Sequence, residues 1–251
     1  MHLDVRTLRN FYYRSALGQA AQVAVRDQVR SLWPDARGET VVGYGFAVPM
    51  LRPFLAEAER VIALMPGPQG VLHWPAGEKN VSVLCEETLW PLPDESVDRL
   101  LLLHGLDTSE HPAAVLEECY RVLAGGGRAI FIVPNRMSAW ARKEGTPFSF
   151  SRPFTPSQIE ARLSYHGLKT VRHVTALYLP PRRTKFWLKA GPLIERLGRA
   201  VPAFHGGGVH VVEVKKQVPR PTRPGLGQVI SNPLKALEGI GQPAPEPARR
   251  H

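Results

Sequence analysis

The first 34 residues read as helical. Asp4 is a plausible cap, and Leu8, Phe11, Tyr12 and Ser15 follow at helical spacing. Gly18 is expected to break this run. A second stretch then carries Val23, Val25, Val29 and Leu32 up to Trp33-Pro34. From residue 39 the pattern changes to short β-branched or leucine runs at Glu39–Val42, Arg60–Met65, Val81–Cys85, Asp98–Leu103 and Arg128–Val133. Helical segments near Val48–Ala58, Pro112–Leu123 and Pro156–His166 separate them. Strands spaced by helices predict βαβ units and a mostly parallel sheet covered on both faces. Two further strands, near Lys169–Leu179 and Gly208–Lys216, flank a basic helix around Lys185–Arg199.

After Gln217 proline and glycine recur too often for a helix or central strand, and apolar residues are too sparse for a core. Three parts are therefore expected: N-terminal helices over 1–34, an α/β domain over 35–217, and a mostly disordered, Pro-rich basic tail over 218–251. Within the tail, Asn232–Leu237 reads either as a short docking turn or as idle linker.

Charge sharpens this division. The chain has 251 residues and a net charge of +10. Residues 1–181 hold 19 basic and 18 acidic side chains, whereas 182–251 hold 13 basic and 4 acidic. A near-neutral body thus bears a basic C-terminal third, suited to RNA, an anionic membrane face or an acidic protein partner, or simply to solubility. Few aromatics follow Gln217, so the tail lacks the stacking half of a nucleic-acid signature. The two cysteines, Cys85 and Cys119, form no C-x-x-C or zinc spacing, which fits a reducing compartment. With no leader-like apolar segment at Met1–Asn10 and no apolar run near ~20 residues, a cytoplasmic location is expected.

Candidate chemistry gathers where the first strand meets its helix, in Val41-Val42-Gly43-Tyr44-Gly45-Phe46-Ala47. Glycines at such a turn let the backbone approach a ligand, and the helix start offers free N–H groups. Structural turns also produce this pattern. His205-Gly206-Gly207-Gly208 has no G-x-S-x-G elbow to serve, the nine histidines form no ligand set, and the glycine turn lacks a P-loop Lys-Ser/Thr.

Further along, Leu92-Pro93-Asp94-Glu95-Ser96-Val97-Asp98 precedes a leucine run. Glu117-Glu118-Cys119-Tyr120-Arg121-Val122-Leu123-Ala124-Gly125-Gly126-Gly127-Arg128 precedes Val133-Pro134-Asn135. In this order the segments resemble the class I S-adenosylmethionine-dependent methyltransferases over about residues 35–216. The resemblance implies a Rossmann-like, mostly parallel seven-stranded sheet with helices on both faces, its last hairpin antiparallel, and an N-terminal helical lid. It also implies S-adenosylmethionine as cofactor and methyl transfer to an unidentified acceptor. By the same resemblance Gly43, Tyr44 and Gly45 would cradle the methionine end and Met65 would touch the ribose or adenine. Glu86, with Glu87 beside it, would meet the adenine amine, and His104 would line the reacting centre as the one candidate general base.

Two expected acids are missing. The position two before the first glycine is Val41, and the second strand ends in Ala63-Leu64-Met65-Pro66. Losing hydrogen bonds to charged groups, each about 1.5–3 kcal/mol, weakens cofactor binding. Aromatic faces of Tyr12, Tyr13, Tyr44 or Phe46 could compensate by facing the sulfonium, or could simply pack the helices on the sheet. Asp107, Glu110, His111, Asn135, Arg136, Arg142, Lys143 and Arg152 are the acceptor-side candidates, the basic ones suiting an anionic acceptor. The alternative reading is a catalytically inactive module that binds a protein or RNA partner through its basic C-terminal region.

Overall fold

The computed structural model describes residues 3–182, 184–200 and 206–217. The tail and its Asn232–Leu237 segment lie outside the described residues, as does His205. The chain opens with α1 (Val5–Arg14) and α2 (Ala16–Leu32). The sheet follows with β1 (Thr40–Gly45), β2 (Arg60–Pro66), β3 (Ser82–Cys85), β4 (Val97–Leu103), β5 (Leu123–Pro134), β6 (Leu168–Ala176) and β7 (Val209–Lys216). Between them lie α3 (Val48–Leu51), α4 (Pro112–Val122), α5 (Ala139–Arg142), α6 (Pro147–Phe150), α7 (Pro156–Tyr165) and α8 (Lys185–Ala200).

Strand order is β3-β2-β1-β4-β5-β7-β6, parallel from β3 through β5, with β7 antiparallel to both neighbours. The order reverses between β1 and β4, so their carboxyl ends flank the crevice where open α/β sheets take ligands. Successive residues of β1 face opposite layers. Val41 joins a core with Leu8, Tyr12, Val25, Val29, Met65 and Leu103 under α1 and α2. Val42 and Tyr44 join the other, with Leu64, Trp90, Leu116, Cys119 and Ile159 under α4 and α7.

Local chemistry moves several expected boundaries. The break between the first two helices falls at Ser15, not Gly18. Ser15 Oγ accepts from Gly18 N at 2.9 Å, capping α2. Gly18 sits inside that helix because a Cβ there would lie 1.9 Å from the Phe11 carbonyl oxygen. The expected helix over 48–58 is a four-residue α3 followed by a 3-10 turn, Arg52–Ala56. Pro53 supplies no N–H and crowds the carbonyl four residues back, which stops α-helical hydrogen bonding there. The glycine run 125–127 is a shift in register inside β5, where Val97 pairs with Leu123 but Arg99 pairs with Arg128, and only Gly126 takes positive φ.

Part of the C-terminal charge is structural. Lys216 is buried and donates from Nζ to Glu95 Oε1 at 2.8 Å and to the Leu123 carbonyl at 2.9 Å. Glu213 is buried on β7 and binds Trp33 Nε1 at 3.0 Å, Arg128 at 3.0 Å and Arg172 at 2.6 Å, tying α2 to the sheet. Burial works to raise the Glu213 pKa; the hydrogen bonds from Arg172, Arg128 and Trp33 outweigh it and hold the carboxyl below its usual range.

Candidate functional site

The glycine turn is built for close packing. Gly43 has no room for a side chain, because a Cβ would meet Leu51 Cδ1 at 2.6 Å and Ala47 Cβ at 2.7 Å. Gly45 has φ +79°, and a Cβ there would lie 2.5 Å from the Leu103 carbonyl oxygen and 2.8 Å from Gly105 N. Phe46 N donates to that same Leu103 oxygen at 2.7 Å. The turn is thus spliced onto the tip of β4. Tyr44 points away from α1, its ring stacked 4.4 Å from Trp90, and burial drives its pKa upward.

On the other face, the crevice between the carboxyl ends of β1, β2 and β4 is filled. Tyr12 from α1 stacks on Phe46 at 5.7 Å and hydrogen-bonds through Oη to His104 Nε2 at 2.8 Å. Phe148 from α6 lies 5.0 Å from the His104 ring, 6.4 Å from Phe11 and 5.6 Å from Trp140. From the β2 side, Pro66–Gly70 tucks under the start of α1, where Val5 N donates to the Gln69 carbonyl at 2.9 Å. Gln69 Nε2 then reaches the His104 carbonyl at 3.0 Å. As a result Tyr12, Phe46, Met65 and His104 have no surface open to water, and Tyr44 is equally buried on the opposite face.

The polar groups in this plug are not all satisfied. His104 stands at the end of β4 with φ +50°, its Nδ1 3.5 Å from Asp107 Oδ2. That separation is too long for a good hydrogen bond. His104 Nδ1, both Asp107 carboxylate oxygens and Gln69 Oε1 are buried without a hydrogen-bond partner. Burial, with the Asp107 charge second, pushes the Tyr12 hydroxyl well above its ordinary pKa.

The two glutamates after β3 separate. Glu86 is exposed. Glu87 is buried and accepts from Ser109 Oγ at 2.8 Å, Glu110 N at 3.2 Å and His111 N at 3.3 Å, fixing the loop that leads from His104 into α4. Tyr13 is half-buried on α1, and burial raises its pKa. Among the acceptor-side cations, Arg136 and Arg142 brace neighbouring carbonyls at Pro153, Ser138 and Met137. Asn135 donates to the Gly207 carbonyl at 2.9 Å. No group of three His, Cys, Asp or Glu suited to a metal occurs among the described residues.

Gly45, Phe46, Met65, His104 and Tyr12 are thus brought together at one edge, while Tyr44, Glu86 and Glu87 are not part of that cluster. Gln69 and Phe148 were not singled out by sequence. The Pro66-Gly67-Pro68-Gln69-Gly70 turn was a signal for the first, since it follows β2 directly; Phe148 carried none.

A family described as "Methyltransferase domain" matches residues 41–131. No curated protein matches the sequence. Among solved structures, a Thermotoga maritima SAM-dependent methyltransferase, titled a possible histamine N-methyltransferase, superposes with TM-score 0.60 at 20% identity. The match covers 84% of this chain and 95% of that one. A Haloferax volcanii complex of the Trm112 methyltransferase activator with a methyltransferase gives 0.60 at 15% identity, covering 85% and 99%. The cyclase SpnF gives 0.53 at 17% identity, covering 82% and 84%. Residues 41–131 thus match a methyltransferase domain in sequence, and the sheet shares the fold of solved S-adenosylmethionine-dependent methyltransferases, so S-adenosylmethionine is the ligand to test against the crevice.

Tested against that ligand, the crevice fits in chemistry and not in space. The ligand is cationic at its sulfonium and ammonium, and the buried Asp107 carboxylate and Gln69 Oε1, none of whose oxygens accepts a hydrogen bond as folded, are the acceptors such a cation needs. As folded, the side chains of Tyr12, Phe46, Met65 and Gln69 leave no room for a nucleoside.

Proposed function

We propose that this chain is an S-adenosylmethionine-dependent methyltransferase, acting on an unidentified acceptor, whose crevice is closed by its own α1 and the 66–70 turn. The observation that carries this reading is the set of orphaned polar atoms around His104. A permanent plug would be expected to satisfy its polar groups, because each buried unpaired one costs about 1–3 kcal/mol. Gln69 Oε1, His104 Nδ1 and the Asp107 carboxylate pay that cost in the closed form.

Withdrawal of α1 frees His104 Nε2 from Tyr12. That nitrogen would then face the opened crevice from the tip of β4 as the candidate general base. When bound, the cofactor supplies an electrophilic methyl group. Asp107 and Gln69 would hold its cationic end in place of the acids absent at Val41 and Met65.

Calorimetric titration with S-adenosylmethionine and its demethylated product tests the reading. A closed crevice lowers apparent affinity by the fraction of molecules that are open. Tyr12→Ala is therefore expected to tighten binding and Asp107→Asn to weaken it about tenfold or more.

The filled crevice favours a second reading, a methyltransferase-like module without catalysis that binds partners through its basic C-terminal region. Absence of binding at millimolar ligand, in the native chain and in Tyr12→Ala alike, would select it.

A further inference from the structure

A groove of about 590 Å3 runs between α2 and α8, its floor apolar at Ala20, Val23 and Ala24 and at Gly191 and Pro192, with Asp27 and Arg196 as charged residues on its two walls. That is within the ~300–1,000 Å3 of small-molecule sites. The helix forming its outer wall is turned the unusual way. Gly191 and Glu195 face inward and are buried, Glu195 Oε1 accepting from Leu179 N at 3.0 Å. Leu193 and Leu197 face outward, 58% and 59% exposed, and across the groove Val23 is 46% exposed. A soluble helix normally buries such leucines.

The charge on this stretch has one sign. Between residues 182 and 199 there are six basic residues and a single acid, Glu195. Glu195 is buried, while Arg196 is exposed beside the two leucines at the groove, with Asp27 of α2 exposed across it.

We propose that the α2–α8 face docks on an anionic lipid bilayer. Leu193, Leu197 and Val23 enter the acyl boundary, the cations meet headgroup phosphates, and the groove accepts an acyl chain. Apolar ridge and cations on one exposed helix are the signature of an interfacial anchor. RNA would use the cations but leave the leucines in water, and among the described residues of this face no exposed one is a stacking aromatic. The proposal stands whether or not the chain transfers methyl groups.

The test is flotation of the full-length protein with phosphatidylcholine vesicles, with and without phosphatidylglycerol. The native chain should float only with the anionic vesicles and come off as salt rises. The double variant Leu193→Glu/Leu197→Glu should bind at least about tenfold more weakly at an unchanged melting temperature, since both positions are exposed. Arg196→Glu should weaken binding in the same direction. Failure to float with anionic vesicles overturns the proposal. So does equal binding by the double variant, or retention of a single-stranded RNA in place of vesicles.

Discussion

Gln69 and His104 join the carboxyl ends of β2 and β4 across the tip of β1: the Gln69 amide donates to the His104 carbonyl at 3.0 Å, and Thr108 Oγ1 donates to the same oxygen at 2.8 Å. The link spans the crevice at the carboxyl ends of β1, β2 and β4. Gln69 is at the same time anchored to α1 through the Val5 amide, so the crossbeam and the helix above it form one unit.

Replacing Gln69 by Ala should therefore loosen both. The expected cost is about 1 kcal/mol of global stability. The distinctive result is faster hydrogen exchange across α1 with little change in α4 or α7. Uniform loss of protection through both layers would mean that the link supports the whole fold and not the closure.

Alkaline pH should reach the same contact through Tyr12. Its folded pKa is raised, so whatever stability the protonated hydroxyl contributes is complete below the unfolded value near about 10 and is lost as pH climbs above it. Melting temperature followed from pH 8 upward should fall less steeply in Tyr12→Phe than in the native chain.

Glu213 should respond at the other end of the scale. Its folded pKa is lowered by Arg172, Arg128 and Trp33 against the opposing effect of burial. Its contribution is present above the ordinary carboxylate range and is lost as pH falls through the folded value. Glu213→Ala leaves Trp33 Nε1 and two guanidinium groups without their shared partner and should cost about 3 kcal/mol at neutral pH. The difference from the native chain should shrink on acidification, as read by urea unfolding.

Much of this molecule was readable beforehand. The strand positions followed from short leucine and β-branched runs between helical segments, and the Leu92–Asp98 and Glu117–Arg128 segments carried the resemblance that implied a seven-stranded, mostly parallel sheet with an antiparallel last hairpin. The closure of the site was not readable, because it depends on residues far apart in the chain. Tyr12 meets His104 across 92 positions, and Phe148 reaches the same ring from a four-residue helix with no periodicity of its own. The glycine turn was open to two readings, a ligand cradle or a structural turn, and the structure adds that Gly43 and Gly45 are required by packing against Leu51 and Leu103. Identical residues serve either purpose, and only the neighbours decide between them.

Gly45→Ala consequently becomes a stability probe. The residue has φ +79° and no space for a methyl group beside the Leu103 oxygen. A loss of about 2 kcal/mol or more is expected in denaturant unfolding. A near-neutral change would show that β1 and β4 can separate locally at low cost, and would weaken the picture of a tightly spliced turn.

The two thiols give the chain an internal chemical clock. Cys85 and Cys119 are both sealed in the layer beneath α4 and α7, with burial pushing Cys85 up to about 12 and Cys119 well above its ordinary value. A sulfhydryl dye should thus ignore excursions confined to the opposite layer and mark only rupture of the whole sheet. Labelling rates, set beside exchange at α1, would separate a gate that swings from a protein that melts.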